Sequence, residues 1–341
     1  MSVLAGYFCM KKELQVHLIL YGKIPELFYE VPDNLCVHKP VTIFNNKLRF
    51  IYTIGRLFYL RQSVKKINPD SVLSFGEYWN SFVLLALWGL PIPIYISDRC
   101  SPEKKFGMIQ DILRKWLYPR SKGVIAQTKI AKSIYGSQFK NDNICIIGNP
   151  IHLRSASETN PKKENIVLTI GRLIESKNHD KLIELFCNIN HPDWKLVIVG
   201  GDALRQNNMI RLNKLISSLN AESKIILTGY RNDLYRLYQK SKIFAFTSYS
   251  EGFPNVIGEA MEAGLPVVSF DCIAGPSEMI TDGEDGYLIP VGNYGLFRER
   301  LEQLMVDASL CKKIGSKARK SIQKFSLENI GAKYYNFIIA N

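Results

Sequence analysis

The sequence lacks the patterns that would settle its class at once. Its seven cysteines (Cys9, Cys36, Cys100, Cys145, Cys187, Cys272, Cys311) are scattered and odd in number, and none form a Cys-x-x-Cys. That excludes a zinc ribbon or a disulfide framework and points to a reducing cytoplasm. The most apolar stretch, residues 82–96, is shorter than a bilayer span and is broken by Gly89, Pro91 and Pro93. The apolar start meets Lys11 and Lys12 at once, the reverse of a secretory leader's charge order. No Gly-x-Gly-x-x-Gly follows a strand, since Gly200-Gly201-Asp202 does not meet that spacing, and this disfavours a dinucleotide oxidoreductase. No nucleic-acid motif or aromatic stacking set is present either. Nor is there any Asp-x-Asp, the pair of carboxylates that would hold a divalent cation on a diphosphate.

What is present is alternation. Short apolar runs at 14–20, 71–75, 92–97, 123–127 and 144–147 read as strands of a first half. Runs at 166–170, 195–199, 224–228, 243–247, 266–270 and 287–290 read as strands of a second. Helical periodicity fills the gaps, for example at 205–219 and 296–306. Repeated strand-then-helix predicts parallel sheets covered on both faces, with ligands at the carboxyl ends of the strands. Gly148-Asn149-Pro150 and the polar stretch 155–165 mark the boundary between two Rossmann-like domains, 1–150 and 151–324. Residues 325–341 are expected to form a helix that packs back on the first domain. Residues 1–9 read as the end of a first helix. The strand and glycine turn that should precede it would then lie upstream of Met1, and a shortened start or a differently built first domain both stay open. Loss of the central first strand would leave an open seam in the sheet.

The segment Ser250-Glu251-Gly252-Phe253-Pro254-Asn255-Val256-Ile257-Gly258-Glu259 follows one strand and enters a helix. Asn255 is the expected N-cap, and free N–H groups at that helix start suit a diphosphate. Gly258 costs about 1 kcal/mol relative to alanine inside a helix, which implies close packing by the sheet or by a ligand. Glu251 and Glu259 can present carboxylates to sugar and ribose hydroxyls. After another strand comes Gly171-Arg172-Leu173-Ile174-Glu175-Ser176-Lys177, where Arg172 and Lys177 can neutralise a leaving diphosphate. A third stretch, Asp271 to Glu278, reaches the same rim. Solvated glutamates and exposed basic residues are the plainer reading of each piece alone.

Together with Leu227-Thr228-Gly229-Tyr230, these stretches resemble family 4 of the retaining glycosyltransferases. Glu251 and Glu259, with seven residues between them, match that family's paired-glutamate signature. The resemblance implies a GT-B fold, two Rossmann-like domains facing each other across a cleft. It also implies a sugar contact at Glu251, a ribose contact at Glu259, diphosphate contacts at Arg172 and Lys177, and a base site near Gly229 and Tyr230. Gly171, Gly252, Phe253, Pro254, Asn255 and Val256 complete the donor site. No metal or cofactor is expected, the nucleotide-sugar being a substrate. On the acceptor side Ser97, Arg99 and Tyr78 are candidates, with Ser74 and Glu77 weaker; for Arg99 a structural ion pair with Asp98 or a neighbour stays equally open.

The net charge is +13, and +10 of it falls in residues 1–160. Two basic amphipathic segments, 49–67 and 104–118, either pack their apolar faces on the sheet or lie on an anionic membrane surface. The expected function is therefore transfer of a hexose or N-acetylhexosamine from a nucleotide-sugar, UDP-linked by preference. The acceptor would be a glycan or a polyprenyl-diphosphate-linked oligosaccharide of a surface polysaccharide, at the inner face of the cell membrane. The alternative is a catalytically incomplete donor-binding subunit that needs a partner chain.

Overall fold

A computed structural model describes residues 2–22, 27, 30–41, 45–152 and 162–339. Of the expected linker, residues 155–161 lie outside the described residues. The chain divides into two compact units, residues 1–150 with 327–341, and residues 151–326.

The first unit begins with α1 (Ser2–Cys9), β1 (His17–Ile19) and β2 (Cys36–His38). It continues through α2 (Arg49–Ile67), β3 (Val72–Phe75), α3 (Glu77–Ala86), β4 (Ile94–Ser97), α4 (Met108–Leu117), β5 (Gly123–Ala126), α5 (Lys129–Phe139) and β6 (Ile144–Ile146). Strands β4 and β5 are buried along their whole length, as strands covered on both faces must be. Helix ends are set locally. Asn68 adopts φ 50° and returns its N–H to Val64 to close α2, and Thr128 caps α5 by accepting from the Ala131 N–H. All pairing is parallel, but it falls into two sheets, β1-β2 and β3-β4-β5-β6. Strands β1 and β3 therefore do not pair with each other. Strand β2 was not foreseen, because three half-buried residues before Lys39-Pro40 carry no period-2 signal.

The second unit contains β7 (Ile166–Ile170), α6 (His179–Cys187), β8 (Lys195–Val199), α7 (Asn208–Ser218), β9 (Ile225–Leu227), α8 (Leu234–Lys240) and β10 (Ile243–Phe246). After these come α9 (Asn255–Glu262), β11 (Val267–Phe270), α10 (Pro276–Met279), β12 (Tyr287–Ile289), α11 (Tyr294–Val306) and α12 (Ala308–Ser321). Its six parallel strands run β12-β11-β10-β7-β8-β9. The order reverses between β7 and β10, the position where doubly wound sheets bind ligands.

The last helix, α13 (Leu327–Ile338), belongs to the first unit, two residues later than the sequence reading places the return. It fits through two glycines. A Cβ at Gly331 would sit 2.5 Å from the Tyr7 ring, and one at Gly123 would sit 2.6 Å from the Phe337 ring.

The first unit also buries a charge. Asp98 accepts from Arg114 (2.6 Å), Tyr118 (2.7 Å) and Asn80 (2.9 Å). Burial pushes its carboxyl upward, against the opposing pull of the Arg114 guanidinium. Removing one partner of such a pair strands the other in a low dielectric. Asp98→Asn is therefore expected to lower stability by about 3–5 kcal/mol, read as a fall in the urea midpoint; an unchanged midpoint would show that Arg114 reaches water.

Candidate functional site

The loops after β7 and β10 meet at the switch point of the second unit. Lys177 and Glu251 form an ion pair there, both mostly buried. The Lys177 ammonium also lies 5.3 Å from the centre of the Phe246 ring, whose face attracts a cation. Three further bonds fasten the two loops. Thr247 donates its hydroxyl to the Lys177 carbonyl (3.0 Å), Ser248 donates to the Ser176 carbonyl (2.9 Å), and so does the Tyr249 N–H (3.1 Å). Thr247 and Ser248 were missed as site residues, and their only sequence signal is their place directly after β10. Gly171 lets this happen: the aliphatic stem of Lys177 packs where its Cβ would be, 3.3 Å away. Arg172 is exposed one residue further on.

The segment 250–259 behaves partly as expected. Helix α9 starts at Asn255 itself, and Pro254 is the N-cap, with no side chain accepting from the first turn. The sequence reading is thus off by one residue: Asn255 is the first helical residue and not the cap. The start of a helix with no side-chain cap, as here, suits an anion. Gly258 has a different purpose from the one expected. A Cβ there would meet Ile151 at 2.6 Å and Ile322 at 3.4 Å, so neither the sheet nor a ligand accounts for it. Phe253 is buried against Phe325, its ring 5.3 Å away, while Val256 is half-buried.

Glu251 and Glu259 are held differently. Glu259 accepts from the Tyr238 hydroxyl at 2.9 Å. Burial pushes its carboxyl above the usual range, and the Tyr238 hydrogen bond opposes that shift. Tyr238, in α8, was also missed; nothing in its local sequence distinguishes it from a core tyrosine.

The remaining loops close in from both sides. Gly275, at φ 108°, would place a Cβ 2.1 Å from Pro254, so the stretch after β11 lies directly on the α9 entrance. Cys272 is buried beside it, its thiol pushed up to about 12 by burial and then by Glu251. On the other side a Cβ at Gly200 would sit 1.8 Å from the Gly171 carbonyl, and the Gly200 N–H donates to the Gly229 carbonyl at 3.0 Å. Gly229 needs its φ of 72°, and Tyr230 after it is exposed. His179, which opens α6, is buried, and its imidazole is pushed down to about 4 by that burial. It is neutral near pH 7 and adds no charge beside Lys177. Among the described residues, no three His, Cys, Asp or Glu side chains gather as metal ligands would.

In the first unit the structure separates the acceptor candidates. Arg99 is not paired with Asp98, whose partner is Arg114. Its guanidinium instead bonds Asn149 and the Tyr334 hydroxyl (3.0 Å) and lies 4.4 Å from the centre of the Phe75 ring. Ser97 is fully buried, whereas Tyr78 is exposed and donates to the Phe106 carbonyl at 3.2 Å. Glu77 is a loop anchor: its carboxylate accepts from the Arg99 and Cys100 N–H groups at 2.9 and 2.7 Å. Ser74 is buried in β3.

Known proteins resemble this chain along most of its length. The model described as "Glycosyl transferases group 1" matches residues 152–321, and that described as "Glycosyltransferase Family 4" matches residues 9–155. The amylovoran biosynthesis glycosyltransferase of Erwinia amylovora is 27% identical, over 92% of this chain and 88% of its own length. A Campylobacter jejuni enzyme is also 27% identical, over 94% and 91%. Its name is N-acetylgalactosamine-N,N'-diacetylbacillosaminyl-diphospho-undecaprenol 4-alpha-N-acetylgalactosaminyltransferase. The crystal structure of S. aureus TarM with UDP superposes with a TM-score of 0.71 at 26% identity, covering 83% of this chain and 58% of that one. The two matched segments take in both units, and the chain belongs to the GT-B glycosyltransferases of family 4.

Proposed function

We propose that the chain transfers a hexose or N-acetylhexosamine from a UDP-sugar, with retention of anomeric configuration and without a metal. The acceptor is a glycan or a polyprenyl-diphosphate-linked oligosaccharide of a surface polysaccharide. The observation that carries this is the Lys177–Glu251 pair at the switch point, beside the uncapped start of α9. Glu251 takes the transferred sugar and Glu259 the ribose. Arg172, Lys177 and the α9 N–H groups stabilise the leaving diphosphate, and Gly229 and Tyr230 border the base. Attack comes from the face the leaving group departs from, and a leaving-phosphate oxygen accepts the acceptor's proton. Stabilising charge that develops on that phosphate is the main catalytic lever. UDP in the TarM complex supports the nucleotide, and the undecaprenol-diphosphate acceptor in the Campylobacter enzyme's name supports the lipid carrier. Arg99, Ser97 and Tyr78 are the acceptor-side assignment.

A membrane surface fits one more feature of the first unit. Helix α4 buries Gln110 and Arg114 together with Leu117 and leaves several apolar residues outside. Met108 and Ile109 are 77% and 74% exposed, with Ile112 and Trp116 on the same face. Trp116 packs against Trp88 with the rings tilted by 48°, and the Arg120 guanidinium lies 4.8–4.9 Å from both ring centres. Phe50, Ile51 and Phe58 on α2 are exposed as well. Apolar side chains among Lys104, Lys105 and Lys115 suit an anionic bilayer. No described helix is long and apolar enough to cross one.

The split sheet of the first unit favours a second reading, a donor-binding subunit completed by a partner chain. Multiple turnover by the purified chain alone separates the two.

Two outcomes test the leading reading. Lys177→Ala and Glu251→Ala should each cut kcat by about 10²–10³-fold with far-UV circular dichroism unchanged, while EDTA leaves the wild-type rate intact. Wild-type turnover in both variants would refute the site, and dependence on added Mg²⁺ would refute the metal-free chemistry. The chain should also sediment with phosphatidylglycerol-containing vesicles but not with pure phosphatidylcholine. The double variant Ile109→Glu, Ile112→Glu should abolish that sedimentation; equal sedimentation of variant and wild type would remove α4 from the membrane.

A further inference from the structure

Helix α6 opens on a residue that core packing does not explain. Its other buried positions, Leu182, Ile183, Leu185 and Phe186, lie in the apolar core, and an aliphatic side chain would pack equally well at the first. His179 stands there instead. It is 4% exposed, and neither ring nitrogen has a hydrogen-bond partner among the described residues. A buried donor in that state costs stability, so an imidazole kept there answers a constraint other than packing. Asn178 before it gives no relief, because its side-chain amide donates to the Tyr294 hydroxyl at 2.8 Å. Burial pushes the imidazole down to about 4, and the Arg172 and Gly171 carbonyls close to the ring oppose that shift. Near pH 7 the neutral ring therefore has one N–H to give, with two carbonyls beside it.

Those carbonyls belong to the loop that carries Arg172 and Lys177. Much of this loop is tied down already: the Gly171 and Leu173 N–H groups donate to Val199 and Gly201, both at 2.9 Å, and Thr247 and Ser248 hold the Lys177 and Ser176 carbonyls. The Gly171 carbonyl lies against Gly200 and accepts from no backbone N–H among the described residues. The Arg172 carbonyl accepts from the Ile174 N–H at 2.8 Å and keeps a second lone pair. We infer that His179 is a positioning residue of the donor site: from the fixed start of α6 its ring N–H steadies the Gly171 and Arg172 carbonyls, and through them directs Arg172 and Lys177 at the diphosphate. This assignment rests on the donor site proposed above. A helix docked in the core is a stiff mount, and precise sites are built on such elements sooner than on loops. In the free loop the contact is looser than a full hydrogen bond, and bonds of this kind tighten once the ligand is in place.

Stability and binding should move in opposite directions. His179→Leu removes the N–H and fills the space with an apolar group, so its thermal midpoint should equal or exceed that of the wild type. Its Kd for UDP, measured by titration calorimetry well below that midpoint, should nonetheless rise about 10-fold or more. A merely structural histidine would do the reverse, lowering the midpoint and leaving the Kd alone. His179→Gln and His179→Asn place an amide N–H near where Nε2 or Nδ1 stood, and at least one should bind UDP within about 3-fold of the wild type. Unchanged UDP affinity in His179→Leu would overturn the inference, and so would equal weakening in all three variants. If the wild type binds no UDP, the donor reading falls, and amide exchange at Leu173 and Lys177 decides this one. Exchange about 10-fold faster in His179→Leu supports the loop-holding role, and equal rates overturn it.

Discussion

Two loops from neighbouring strands have to carry opposite charges into one half-buried spot, and the second unit is arranged around that requirement. Lys177 without Glu251 would be a cation partly removed from water, and Glu251 without Lys177 a stranded carboxylate. Held together, and stapled by Thr247, Ser248 and Tyr249, they present a fixed dipole where the strand order reverses. Preorganisation of this kind is what makes electrostatic stabilisation effective, because little must reorient when charge moves. Behind the loop His179 is buried, and that burial pushes its imidazole down to about 4.

Glycine makes the close approaches possible. Gly200 lets one loop touch the Gly171 carbonyl, Gly275 lets another lie on Pro254, and Gly171 makes room for the stem of Lys177. Each contact brings a loop nearer to its neighbour than any side chain would permit. The loops after five adjacent strands thereby gather on one edge of one sheet.

The fold was readable where strands are fully buried and apolar, as at β4, β5, β7 and β10, because such runs have no competing interpretation. It was unreadable at β2, where three half-buried residues leave no pattern. Of the candidate site, Arg172, Lys177 and Glu251 were legible as candidates because they lie in the loops that follow β7 and β10. Tyr238 and the true purpose of Gly258 could not, since both depend on contacts between segments far apart in the chain. Arg114 as the partner of Asp98 was hidden for the same reason. Its apolar neighbours on α4 pointed to an ordinary amphipathic helix, whereas the helix buries Gln110 and Arg114 alongside Leu117.

The return of the chain at Leu327 makes the second unit an insertion within the first. Its entry and exit are pinned to each other, since the Ile151 N–H donates to the Phe325 carbonyl at 2.8 Å and Ile151 packs on Gly258 beside Ile322. An inserted body whose two ends are buttoned together needs nothing from its host to stay closed. In evolutionary terms it is a cassette: residues 151–326 can be inherited, exchanged or redesigned as one piece.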